Sequence, residues 1–275
     1  MRPLLIEGGK GRISLMQYGP TAASRTDEVV LMIPPFAEEM NKSRRMLSLQ
    51  AQRLAMRGFT VLLPDLYGTG DSGGDFVDAR WEIWRDDILS CVMVARTLGA
   101  RRCSVIALRL GALLAAECLP RMSLPVRRLV LWQPQTNGRQ ALTQFLRLRL
   151  AADLINSAEG SQSSTAALHR TLEDGNSVEV AGYELAPELA NAIGRSGLEA
   201  VVLSPTIEIL WIEVVAAGAG LSAASQKGIA AFRQRGFDVH DKAIQGDAFW
   251  TLQEISVVPG LLDETTSFLT RNARG

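Results

Sequence analysis

The stretch Cys103-Ser104-Val105-Ile106-Ala107-Leu108-Arg109-Leu110-Gly111-Ala112-Leu113-Leu114-Ala115 decides the fold. Up to Leu108 it is an apolar run without polar alternation, the mark of a strand covered on both faces. From Gly111 it becomes an alanine- and leucine-rich helix, so the reversal is confined to a tight turn at Arg109. Small residues, Ala107 and Gly111, flank that turn, where a strained backbone collides with anything larger. Four further runs share the same texture: EVVLMI at 28–33, FTVLLP at 59–64, RLVLW at 128–132 and IEILWI at 207–212. Helical segments lie between them. One spans 43–57, with Met46, Leu47, Leu54 and Ala55 at helical spacing, Asn41 or Ser43 as cap and Gly58 as terminator. Another spans 79–98 and carries Trp81, Trp84, Ile88, Val92 and Ala95 on one face. Alternation of this kind predicts a mostly parallel sheet wrapped by helices, an α/β protein. Residues 3–18 add a hairpin that turns through Gly8, Gly9 and Gly11.

Residues 137–201 interrupt the alternation. Their helix-like QALTQFLRLRLAADLI, polar patch at 158–165 and possible strand in VEVAGYEL make an insertion too long for a crossover. It reads as a cap over the carboxyl edge of the sheet, with 1–136 and 202–275 forming the core.

Composition narrows the function. In 275 residues, 29 basic side chains balance 29 acidic ones, which argues against a protein that neutralises nucleic-acid phosphates. The longest apolar stretch is interrupted by Glu208 and Glu213, so no membrane span is expected. Cys91, Cys103 and Cys118 lack metal-ligand spacing and read as small buried hydrophobes of a cytoplasmic protein. No metal or cofactor is called for. Gly68, Gly70 and Gly73 have the nominal dinucleotide spacing, but Pro64, Asp65, Leu66 and Tyr67 separate them from their strand and a helix follows. They read as a structural turn whose glycines supply positive φ and in which Asp65 and Ser72 bond local backbone. Only His169 and His240 are available for histidine chemistry. The arginine pairs 101–102 and 127–128 read as a solvated rim, and Trp132, Trp211 and Trp250 as filling between sheet and cap.

The strand–turn–helix at 103–115 matches the nucleophile elbow G-x-S-x-G in all but its reactive residue, because Arg109 stands where serine is required. Together with IPPFAEEMNKSRRM at 33–46, LLPDLYGTGDSGG at 62–74, ALRLGALLA at 107–115 and GDAFW at 246–250, it resembles the α/β-hydrolases, and specifically the exosortase A system-associated hydrolase 2 family. The resemblance spans essentially the whole chain. It implies an eight-stranded, mostly parallel sheet with helices on both faces and a helical cap between the sixth and seventh strands. It also implies a hydrolase or acyl transferase acting on a small molecule, linked to exosortase and exopolysaccharide loci, beside a second α/β-hydrolase.

Carried over by position, the resemblance assigns the oxyanion-hole amides to Phe36 and Leu110, and the histidine position to Ala248. Glu213 is the residue that can stand in for the triad acid. Trp132, Gln133, Ala248, Phe249 and Trp250 are expected around the pocket. A guanidinium stays protonated and alanine moves no proton, so ordinary Ser-His hydrolysis is not expected. Two readings of the elbow stay open. In one, Arg109 holds an anionic ligand, with Arg44 and Arg45 near; in the other, Glu38, Glu39, Glu213 or Asp247 neutralises it. Correspondingly the protein is either an enzyme in which Glu38, Glu39 or Asp247 activates a water, or a non-catalytic ligand- or partner-binding descendant of a hydrolase.

Overall fold

The computed structural model describes residues 1–20, 27–156, 164–201, 203–204 and 206–271. The polar patch expected at 158–165 lies outside these apart from its last two residues, as does the expected boundary at 202. Strands β1 (Arg2–Glu7) and β2 (Arg12–Tyr18) form the opening hairpin. There follow β3 (Glu28–Ile33), α1 (Glu38–Met56), β4 (Thr60–Pro64), α2 (Trp81–Thr97), β5 (Arg102–Leu108), α3 (Gly111–Cys118) and β6 (Val126–Trp132). Helices α4 (Gly138–Asn156) and α5 (Thr165–Glu173), a small hairpin of β7 (Val178–Val180) and β8 (Tyr183–Leu185), and α6 (Pro187–Arg195) come next. The chain then returns through β9 (Glu208–Val215), α7 (Ala223–Gln234), β10 (Asp238–Gln245) and α8 (Pro259–Thr270).

Eight strands make one sheet in the order β1-β2-β4-β3-β5-β6-β9-β10. The pairs β1–β2 and β2–β4 are antiparallel; every pair from β4 to β10 is parallel. Strand alternation divides the core in two. Leu31, Ala107, Leu131 and Trp211 face α2, α3, α7 and the segment after β6. Met32, Ile106, Trp132 and Ile212 face α1 and α8. Each such large apolar side chain, fully buried, contributes about 1.5–3 kcal/mol relative to exposure.

Two expectations are corrected here. Helix α1 begins at Glu38, not at 43: Ala37, at φ 50°, turns the chain into the helix without any side-chain cap, and Ser43 is buried inside it. Arg128 is not on a solvated rim but fully buried. It donates to the carbonyls of Leu269 and Arg271 at 2.8 Å each, thereby capping the end of α8. The glycine-rich turn behaves as read: Asp71 donates its amide to Asp65, and Ser72 donates its hydroxyl to the Asp65 carbonyl. Positive φ belongs to Gly68, Gly70 and Gly74 rather than to Gly73. Asp65 also takes Arg44 at 3.0 Å, which keeps that arginine in the turn.

Candidate functional site

The reversal after β5 is held in place by backbone. Arg109 adopts φ 55°, a left-handed conformation that costs a non-glycine residue on the order of 1 kcal/mol or more. Its amide donates to the Trp132 carbonyl at 3.0 Å, and its own carbonyl accepts from Ala112 and Gln135 at 3.1 Å each. Gly111 can have no side chain: a Cβ there falls 2.5 Å from the Pro34 carbonyl oxygen and 2.8 Å from that of Ile33. The glycine after the turn is therefore dictated by the close approach of the end of β3 and the loop that follows it. The backbone of an elbow is intact, and a guanidinium stands at its apex.

That guanidinium is neutralised from within. Glu39, in the first turn of α1, accepts from Arg109 Nε at 3.1 Å and from Nη2 at 3.0 Å. The two side chains are only 26% and 14% exposed respectively. Gln135 turns its amide oxygen to the same group, 2.6 Å from Nη2 and 3.1 Å from Nη1, and the guanidinium lies over the Trp250 ring at 5.3 Å. Burial pushes the Glu39 carboxyl above its ordinary value, and the pull of Arg109 in the opposite direction does not offset it. The neighbouring Glu38 is satisfied by Lys42, one helical turn on, at 2.9 Å.

Beside this pair lies a cavity of about 180 Å³. Its floor is the elbow and the start of α1; its roof is α4, which contributes Leu142, Phe145 and Leu148, with Ile193 of α6 and Trp250 closing the sides. Phe36 and Leu110 both belong to its wall. Among the described residues no acceptor takes either of their amide hydrogens. The arrangement thus combines apolar walls, two unbonded backbone donors and four wall charges already paired with each other.

Several expected site residues lie elsewhere. Trp132 is turned by strand alternation to the α1/α8 face, where its indole donates to Thr265 at 2.8 Å. Trp211 packs on α7, donating to Ser225, so of the three tryptophans only Trp250 reaches the cavity. Gln133 accepts from the Val214 amide at 2.7 Å and ties β6 to β9. Glu213 is occupied by the Ser222 amide at 2.8 Å, which anchors the loop before α7. Asp247, bonded by Ser256, and Ala248 line a separate open depression at the ends of β9 and β10. Phe249 is buried with Trp132 on the far face of the sheet. Arg45 is exposed. His240, near the start of β10 and hence at the sheet edge opposite the elbow, stacks edge-on against Phe268. His169 contacts Thr143 across α4 and α5. Lys42, Gln135 and the α4 stripe were not singled out from sequence. The i,i+4 pair Glu38–Lys42 becomes legible once α1 is begun at Glu38, and the apolar spacing 141, 142, 145 and 148 marks the face that α4 turns inward.

The architecture is that of the α/β-hydrolases. No protein-family model matches the chain, and no curated protein matches it. Solved structures do. It is similar over 98% of its length, and over 98% of the other chain, to Est1E from Butyrivibrio proteoclasticus, at TM-score 0.65 and 14% identity. A thermophilic esterase from Thermogutta terrifontis matches 98% of this chain and 97% of its own, at TM-score 0.57 and 14% identity. An α/β serine hydrolase without lid from Xanthomonas campestris matches 98% and 91%, at TM-score 0.58 and 11% identity. At these identities the likeness is one of fold. No helix among the described residues is long and apolar enough to cross a membrane, and no cluster of potential metal ligands occurs among them.

Proposed function

We propose that this protein is a non-catalytic α/β-hydrolase descendant that binds a small, largely apolar molecule beneath a cap formed by residues 137–201. The observation that carries this reading is the Arg109–Glu39 ion pair at the apex of the elbow. A protonated guanidinium held by an internal carboxylate is no nucleophile, and neither histidine of the chain is in the cavity wall. What survives of a hydrolase here is its binding half. Phe36 and Leu110 offer the oxyanion-type amides, and the cavity offers the apolar volume. An anionic ligand fits less well than a neutral one, since Glu39 already occupies Arg109. The motifs resembling the exosortase A system-associated hydrolase 2 family direct the search for the natural ligand, and for a second α/β-hydrolase as partner, to exopolysaccharide loci.

Burial of Glu39 favours one second reading, in which its carboxyl acts as base for a water next to the two amides. Calorimetric titration with a short-chain methyl ester separates the two. Binding predicts saturating heat and recovery of the ester intact. Sustained heat with release of methanol, abolished by Glu39→Gln, would replace the binding reading with the hydrolytic one.

A further inference from the structure

The cavity beside Arg109 has a neighbour. A second void of about 20 Å³ lies behind it, lined among others by Met40, Trp81, Trp84 and Leu114. Among the described residues only Phe36 and Leu110 belong to the walls of both. The Phe36 ring stands edge-on to Phe145 of the cavity roof, at 4.7 Å between centroids, and 6.0 Å from Trp84 of the void. It therefore separates the two spaces. Trp81 is 4% exposed, and its indole N–H has no acceptor among the described residues. A buried donor left unpaired is costly enough to call for a partner, and a void of this size holds about one water-sized group.

The charges of the cavity wall argue in the same direction. Glu38 pairs with Lys42 and Glu39 with Arg109, so a charged ligand entering the cavity meets no free counter-charge and loses its hydration uncompensated. A neutral carbonyl group, by contrast, accepts from the Phe36 and Leu110 amides at no electrostatic cost.

We infer that Phe36 determines ligand length at this site: the cavity takes a neutral carbonyl compound with an unbranched apolar tail, and the Phe36 ring ends the space open to that tail. The inference rests on the binding reading above. At roughly 20–25 Å³ per water-sized group, the scale on which the void holds one, the cavity holds about eight non-hydrogen atoms, the oxygen and about seven carbons of a methyl ketone. Removing the ring joins it to the void and brings the Trp81 donor within reach of the tail's end.

The test is calorimetric titration of the full chain with a series of methyl ketones of about five to about twelve carbons, each matched by the carboxylic acid of equal length. Wild type, Phe36→Ala and Phe36→Leu are compared; all three keep the Phe36 backbone amide. In the wild type, affinity rises about fourfold per methylene and stops at about seven carbons, the acids binding at least about tenfold more weakly. In Phe36→Ala the rise continues through about two or three further methylenes, and a terminal hydroxyl on the longer ketones strengthens binding further. Phe36→Leu gives an intermediate limit and carries the test should the alanine variant not fold. An unchanged length limit in a folded variant overturns the role of Phe36 while leaving the binding reading intact. Acids that outbind the ketones overturn the neutral-ligand assignment alone. Absence of binding by every ketone and every acid overturns both the inference and the reading beneath it.

Discussion

Replacing Glu39 by alanine leaves the Arg109 guanidinium in a mostly apolar cavity without its carboxylate. Removing one partner of a buried ion pair costs about 3–5 kcal/mol, most of it from the charge left behind. Here the side chains retain 14% and 26% exposure, and the guanidinium keeps Gln135 and the Trp250 ring. The expected loss is accordingly about 2 kcal/mol, equivalent to a Tm lowered by about 4–8 °C for a chain of this size. The suitable assay is urea unfolding of the single variants Glu39→Ala and Arg109→Met and of the double variant, closed as a cycle, with a coupling energy of at least about 1 kcal/mol. The double variant, having no charge to strand, should recover most of the stability. Glu39→Gln should cost less than Glu39→Ala, because it still accepts from Arg109 and escapes the desolvation of a carboxylate. Burial raises the Glu39 value in the folded state above that of the unfolded chain. The native state therefore holds this proton longer, and wild type gains on Glu39→Gln at acid pH. That gain is complete below the unfolded carboxylate value and disappears as pH rises through the folded one. A coupling energy below about 0.3 kcal/mol refutes the pair as the organiser of the site, and a stability difference between wild type and Glu39→Gln that is flat from pH to pH refutes burial as the force that sets the Glu39 carboxyl.

Four other outcomes are expected. Gly111→Ala drives a methyl into the Pro34 carbonyl and should cost about 1–3 kcal/mol in denaturant titration; a neutral effect disproves the close approach. Arg109→Ser places a hydroxyl at the turn after β5 with neither histidine in the cavity wall, so ester hydrolysis should stay at the uncatalysed rate; turnover with a pH profile near that of histidine contradicts this. Asp87, fully buried, accepts from the Gly9 and Tyr67 amides at 2.8 Å each. Asp87→Ala should cost about 1–3 kcal/mol and speed hydrogen exchange at those two amides first. Burial pushes the Cys103 thiol up to about 12 and those of Cys91 and Cys118 up as well, so a thiol-specific reagent should react with none of the three until the protein unfolds.

The turn after β5 was legible in sequence because the close approach of the Ile33 and Pro34 backbone leaves no room for a side chain at Gly111. The strands were legible for a similar reason: buried parallel strands read as unbroken apolar runs. The partner of Arg109 was narrowed to four carboxylates but not chosen, since the choice depends on where α1 begins. Capping rules look for Asn or Ser and so pointed to Asn41 or Ser43; the helix instead starts from a positive-φ alanine, which carries no sequence signal and brings Glu39 to the guanidinium. Trp132 and Phe249 were misassigned because an apolar run covered on both faces does not reveal which of its residues faces the cavity. Glu213 and Asp247 show the same limit from the polar side. Both sit near the expected edge of the sheet, yet each is engaged by a local hydrogen bond that fixes a loop.

The central proposal is that the cavity beside Arg109 binds a small molecule without turning it over, and a crystal structure of the protein soaked with a short-chain methyl ester tests it most directly. The account predicts an intact ester in the cavity, its carbonyl oxygen about 3 Å from the Phe36 and Leu110 amide nitrogens, and Arg109 still bonded to Glu39. An acyl group attached to any side chain, a hydrolysed product in the cavity, or an ester bound elsewhere with these amides untouched would contradict it.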